Sequence, residues 1–155
     1  MCEVERTGEL ENLRVETRDL SWAKSKDWKP KIGEMKIATG VDLIEISRIE
    51  DVIARHGKQY LERVYTPAEL EQCGRRAESL AGRFAAKEAV AKALGSGIGD
   101  VSWKDIEVLG NGQNAPVLTL HNKAKQRADE LGFSSWSLSI SHSQSHSVAF
   151  VVMIG

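Results

Sequence analysis

The stretch AESLAGRFAAKEAVAKALG, residues 77–95, constrains the fold more than any other part of the chain. It is rich in alanine, the strongest helix former, and a glycine cluster follows it, so one long helix ending near Gly95 is expected. On that helix Glu88 and Lys92 stand four residues apart on one face, and Arg83 and Lys87 make a neighbouring pair. A solvated face carrying an ion pair would explain these charges. Yet Glu88 shares its stripe with Ala81, Phe84, Ala85 and Ala91, so a small apolar surface surrounds the carboxylate. Small side chains let another segment or a ligand approach closely. Spacing alone leaves both readings open.

Around this helix the pattern alternates between strand and helix blocks. KIATGVDL reads as a first strand, and EISRIEDVIARHG as a helix with Ile46, Ile49, Val52 and Ile53 on one side and Gly57 as its stop. Thr66-Pro67 opens a short helix, with threonine as N-cap and proline at the first helical position. DIEVLG and PVLTL alternate around the turn NGQNA, and HNKAKQRADELG is a helix ending in Gly132. SLSISHS and HSVAFVV alternate around Ser143-Gln144-Ser145 as a hairpin, with Leu138, Ile140 and His142 on one face and the serines on the other. Hairpin-joined strands and separate helices predict an α+β fold with a largely antiparallel sheet and a long central helix.

Residues 1–34 differ from the rest: 15 of them are charged, and Lys29-Pro30-Lys31-Ile32-Gly33 breaks any helix before Met35. They read as a charged appendage, and 35–155 as the domain. That domain holds 14 basic and 14 acidic residues, which offers no basic field for nucleic acid. Cys2 and Cys73 form no metal-binding spacing. The longest apolar run is too short to span a bilayer, and no signal peptide is apparent, so a cytoplasmic protein is expected.

Three features outside the helix pair carry chemistry. Asp42 sits where the first strand hands over to a helix, a costly place for a carboxylate. With Glu45 it makes D-x-x-E, close to a capping box. Cap and half of a functional site are both consistent with that spacing. The cluster Gly95-Ser96-Gly97-Ile98-Gly99 follows its helix, so it is neither a Walker loop nor a dinucleotide fingerprint; it is a C-terminal cap or a nest of N–H groups for phosphate. His142 ends an apolar row as a packed or a ligand-contacting histidine. No GxSxG elbow is present.

Together, ATGVDLIEISRI, LAGRFAAKEAVAKALGSGI and LSISHSQSHSVAFVV resemble the holo-[acyl-carrier-protein] synthases, the short-chain phosphopantetheinyl transferases, from about Met35 to Gly155. The resemblance implies Mg²⁺-dependent transfer of 4′-phosphopantetheine from coenzyme A to a serine of an acyl carrier protein, in fatty acid or polyketide synthesis. It also implies a homotrimer with active sites between subunits. Asp42 and Glu88 would bind Mg²⁺, and Lys92 would approach the phosphates. Arg83, Lys92, Gly95, Ser96, Gly97 and His142 would contact coenzyme A. On the first helix Arg48, Val52 and Arg55 would form a docking face for the acidic carrier protein. Ala38, where many relatives have glycine, and the turn before Pro116, which lacks a common Gly-Lys-Pro, depart from the pattern. A non-catalytic coenzyme A-binding or assembly module of the same fold is the alternative.

Overall fold

Helix α3 (Ala77–Ala93) is buried almost all round, as a helix with so many alanines can be, and most of the other elements pack on it. The computed structural model of the chain describes residues 35–113 and 115–155, so the segment 1–34 read above as an appendage lies outside the described residues. Strands β1 (Ile37–Glu45), β4 (Ser135–His142) and β5 (His146–Ile154) form an antiparallel sheet in the order β1-β5-β4. A second antiparallel pair joins β2 (Ile106–Gly110) to β3 (Pro116–Leu120). Helices α1 (Ile46–Val64), α2 (Pro67–Cys73) and α4 (Asn122–Leu131) complete the α+β arrangement.

Period-two alternation decides which residues face α3. Ala149, Val151 and Met153 of β5 are buried, as are Gly40 and Ile44 of β1, while Val41, Leu43 and Phe150 point outward. At Gly40 the strand lies against the helix backbone: a Cβ there would stand 1.9 Å from the carbonyl oxygen of Ala89. Only glycine permits that approach, and Ala89 and Ala93 keep the helix side equally thin.

Two boundaries differ from expectation. Strand β1 continues through Glu45, because its pairing with β5 runs on to His146. The N-cap of α1 is therefore Glu45, whose side chain makes no capping bond, and Asp42 is not a cap. Gly57 breaks α1 at φ 52°, ψ −131°, yet the chain resumes helical geometry and runs to Val64. The stop expected there is a kink.

The other turn signals behave as their chemistry dictates. Thr66 accepts from the Glu69 N–H at 3.2 Å and Glu69 accepts from the Thr66 N–H at 2.8 Å, a reciprocal capping box with Pro67 following the cap. Past α3, Gly95 adopts φ 62°; its N–H donates to the Lys92 carbonyl and that of Ser96 to the Ala91 carbonyl. This is a Schellman closure, so the glycine exit does cap the helix.

Candidate active site

The crossing of β1 over α3 brings together residues that lie far apart in sequence. Asp42, on the inward face of β1, is held by Lys92 of α3, whose Nζ lies 2.8 Å from Oδ1 and also donates to the Val41 carbonyl at 3.0 Å. Lys92 thus pairs across to the strand rather than with Glu88, as a surface i,i+4 pair would have it. Glu88 is half-buried one turn back on the same helix face. Burial, and then the negative charge of Asp42, push its carboxyl above the usual range, and Lys92 opposes them. A half-buried carboxyl facing a second carboxylate invites a cation. Among the described residues no group of three or more histidine, cysteine, aspartate or glutamate side chains is arranged for a metal. A hard cation here would have these two carboxylates, with substrate and water oxygens making up the rest.

Arg83 and Lys87, a neighbouring pair by spacing, take different paths. Lys87 is fully buried and meets Glu69 of α2, also fully buried, at 2.9 Å. It donates as well to the carbonyls of Trp103 (2.9 Å) and Ile106, so its charge is satisfied without water. Glu69 in turn accepts from the Val108 N–H at 2.9 Å. Desolvation lowers the Lys87 pKa and Glu69 counters it. No local sequence signal marks this pair, because Lys87 and Glu69 lie on different helices and meet only when α2 packs against α3.

Arg83 is half-buried and reaches α2 and β2. Its Nε donates to the Val108 carbonyl at 3.1 Å, Nη1 to Ser79 O at 3.3 Å and Nη2 to Gln72 Oε1 at 3.3 Å. It lines a cleft of 180 Å³ together with Gly110, Pro116, Ile140 and His142. His142 is exposed at the end of β4 and does not pack in the apolar row that Leu138 and Ile140 form. Arg83 and His142 therefore border the same cleft. Around α3 the Arg83 side lies about 140° from the Glu88 side.

Gly95 and Ser96 border a separate hollow of 340 Å³ with Lys123 and Arg127 of α4. Gly97 is exposed in the same exit. On α1, Arg48 and Arg55 are exposed and Val52 is half-buried between them; Arg55 also contacts Asp51, at 3.8 Å.

Residues 38–151 match the family model described as the 4′-phosphopantetheinyl transferase superfamily. The chain is 51% identical over 126 residues to a holo-[acyl-carrier-protein] synthase of Herpetosiphon aurantiacus, covering 77% of this chain and 99% of that protein. It is 47% identical to the holo-[acyl-carrier-protein] synthase of Moorella thermoacetica, covering 76% and 93%. Among solved structures, the holo-[acyl-carrier-protein] synthase of Helicobacter pylori in complex with coenzyme A is similar at a TM-score of 0.68 and 39% identity, over 74% of this chain and 98% of that one. The Bacillus anthracis holo-(acyl-carrier-protein) synthase in complex with CoA (3′,5′-ADP) is similar at a TM-score of 0.64 and 36% identity, over 78% and 98%.

Proposed function

The chain belongs to the holo-[acyl-carrier-protein] synthases of the 4′-phosphopantetheinyl transferase superfamily, and from that premise we propose how its own residues work. It transfers 4′-phosphopantetheine from coenzyme A to a serine of an apo acyl carrier protein and releases adenosine 3′,5′-bisphosphate. The observation that carries the site assignment is the meeting of Asp42 with Lys92 and Glu88 at the Gly40 crossing. Asp42, Glu88 and Lys92 are the catalytic set. The two carboxylates fit Mg²⁺, a hard cation that takes one or two carboxylates and leaves room for phosphate oxygens. When bound, Mg²⁺ supplies charge neutralisation at the pyrophosphate.

The carrier serine oxygen bonds to the phosphorus that bears the pantetheine, and the bridging P–O bond to adenosine 3′,5′-bisphosphate breaks. Lys92, on the exposed end of α3, offsets the charge that builds on the leaving phosphate. Glu88, whose raised proton affinity suits proton handling, orients the serine hydroxyl. Arg83 and His142 hold the nucleotide end in their cleft. At the Gly95-Ser96-Gly97 exit the Gly95 and Ser96 N–H groups are spent on capping α3, so the Gly97 N–H serves a phosphate oxygen there. Arg48, Val52 and Arg55 dock the acidic carrier.

The Arg83 cleft and the Asp42 group lie on different sides of one α3, which supports a trimer whose sites form between subunits. The outward face of β1 and β5 supplies the apolar surface: Ile37, Val41 and Leu43 are 60%, 54% and 63% exposed, beside Phe150 and Ile154. No helix among the described residues is long and apolar enough to cross a membrane, and a cytoplasmic location suits the substrates. Residues 35–155 are the transferase domain, so deleting 1–34 leaves activity unchanged.

Calorimetry tests the metal pair. Coenzyme A is expected to bind the wild type with Mg²⁺ and to lose that Mg²⁺ dependence in Glu88→Gln, which also fails to add the prosthetic mass to an apo carrier. Equal Mg²⁺-dependent binding in both proteins would remove Glu88 from the metal site.

A further inference from the structure

Three of the five Arg83 N–H groups are already committed, and the partner of one of them is a side chain with no role in the reaction as described so far. Gln72, exposed on α2, uses both ends of its amide. Its Oε1 accepts from the Gly110 N–H at 2.8 Å and from Arg83 Nη2 at 3.3 Å, while Nε2 donates to the Gly110 carbonyl at 3.1 Å. Two donors converge on the oxygen and one acceptor faces the nitrogen, an arrangement that only a primary amide satisfies. Gly110 ends β2 and, with Arg83 and His142, lines the cleft.

Resting on the assignment of that cleft to coenzyme A, we propose that Gln72 is a positioning residue for the nucleotide end of the substrate. It fixes the Arg83 fork from one side while the Val108 and Ser79 carbonyls fix it from the other. Each of the three guanidinium nitrogens uses one N–H in this way. One N–H on Nη1 and one on Nη2 remain uncommitted and can serve phosphate oxygens. An arginine held in place before binding loses less side-chain freedom when the substrate arrives. Glutamine does this without a charge of its own, so the positive charge of Arg83 remains available to phosphate. A carboxylate at the same position would compete for it.

Steady-state kinetics with coenzyme A varied at saturating apo carrier protein, alongside thermal melting, test this. Gln72→Ala should raise KM for coenzyme A by about three- to tenfold, the loss of an ordinary hydrogen bond, with kcat and KM for the carrier unchanged. Gln72→Glu keeps an acceptor for the Gly110 N–H but turns an oxygen toward the Gly110 carbonyl and competes for the Arg83 charge, so it should raise that KM further still. A Gln72→Glu KM no higher than that of Gln72→Ala, or a kcat that falls with the melting temperature while KM holds, overturns the proposal. Arg83→Gln separates the two layers. A raised KM in Arg83→Gln with none in Gln72→Ala removes Gln72 alone, whereas no change in Arg83→Gln removes the cleft assignment and the proposal with it.

Discussion

Glu88, the proposed metal ligand, shows what such a role would cost the fold. Its carboxyl is half-buried beside Asp42, and both burial and that charge disfavour ionisation. Without Mg²⁺, and with a chelator present, Glu88→Gln should melt a few degrees higher than the wild type at neutral pH, because the amide cannot ionise. A lower melting temperature in differential scanning calorimetry would contradict the electrostatic account. Glu107 presents the opposite sign. Its bond from Thr66 Oγ1 at 2.7 Å holds the carboxyl below the usual range, burial opposes this, and His121 at 3.2 Å adds to it. A depressed carboxyl contributes stability above its unfolded pKa and loses it as pH falls through the folded one. Glu107→Gln should therefore be less stable than the wild type near neutrality, and the gap should close as denaturant melts are repeated below the usual carboxylate pKa. A gap that stays constant across that range would show that ionisation is not its source.

At the scale of elements, the position of α3 decides whether a site exists. Two contacts set it: the backbone approach at Gly40 on one side and the Lys87–Glu69 pair on the other. Lys87→Met leaves Glu69 charged and buried without its partner, so urea unfolding should show a loss of about 3–5 kcal/mol. A loss under about 1 kcal/mol, as for a surface pair, would mean that the charge is solvated. Gly40→Ala must push β1 away from Ala89. It should cost about 1–3 kcal/mol by the same measurement and lower transferase activity far more than that stability loss predicts, since Asp42 rides on the displaced strand. These elements also mark how far the sequence could be read. The helix, its glycine exit and both hairpins were legible because each has its own local signal. The meeting of Asp42 with α3 was legible only through the motif pair, since D-x-x-E explained Asp42 equally well as a cap. The buried state of Lys87 was not legible. Four-residue spacing to Arg83 looks the same for a solvated lysine as for one whose partner sits on another helix. Nor could Gly57 disclose a kink, because the chain that resumes the helix follows the same glycine signal that would end one.

For the whole molecule, the feature that a one-dimensional reading least reveals is what covers the outer face of the sheet. Alternation assigns Val41, Leu43 and Phe150 away from α3, and a strand with apolar residues on both sides calls for a second layer there. In register, Val41 stands opposite Phe150 and Leu43 opposite Val148, so the outward residues form one continuous apolar stripe; beyond it Ser135, Ser137, Ser139 and Ser141 of β4 supply a polar border. A stripe so bordered suits a closed contact between copies better than random association. Phe150→Glu puts a charge in the middle of that stripe without touching Asp42, Glu88 or the Arg83 cleft. Sedimentation velocity should find the wild type trimeric and Phe150→Glu monomeric, with circular dichroism unchanged in shape. In the proposed trimer the Arg83 cleft of one copy would complete the Asp42 group of another, so the monomer should lose nearly all transferase activity, and wild-type activity per protomer should fall on dilution through the dissociation range. A fully active monomer would show instead that one chain holds a whole site, with coenzyme A passing around α3 from Arg83 to Glu88.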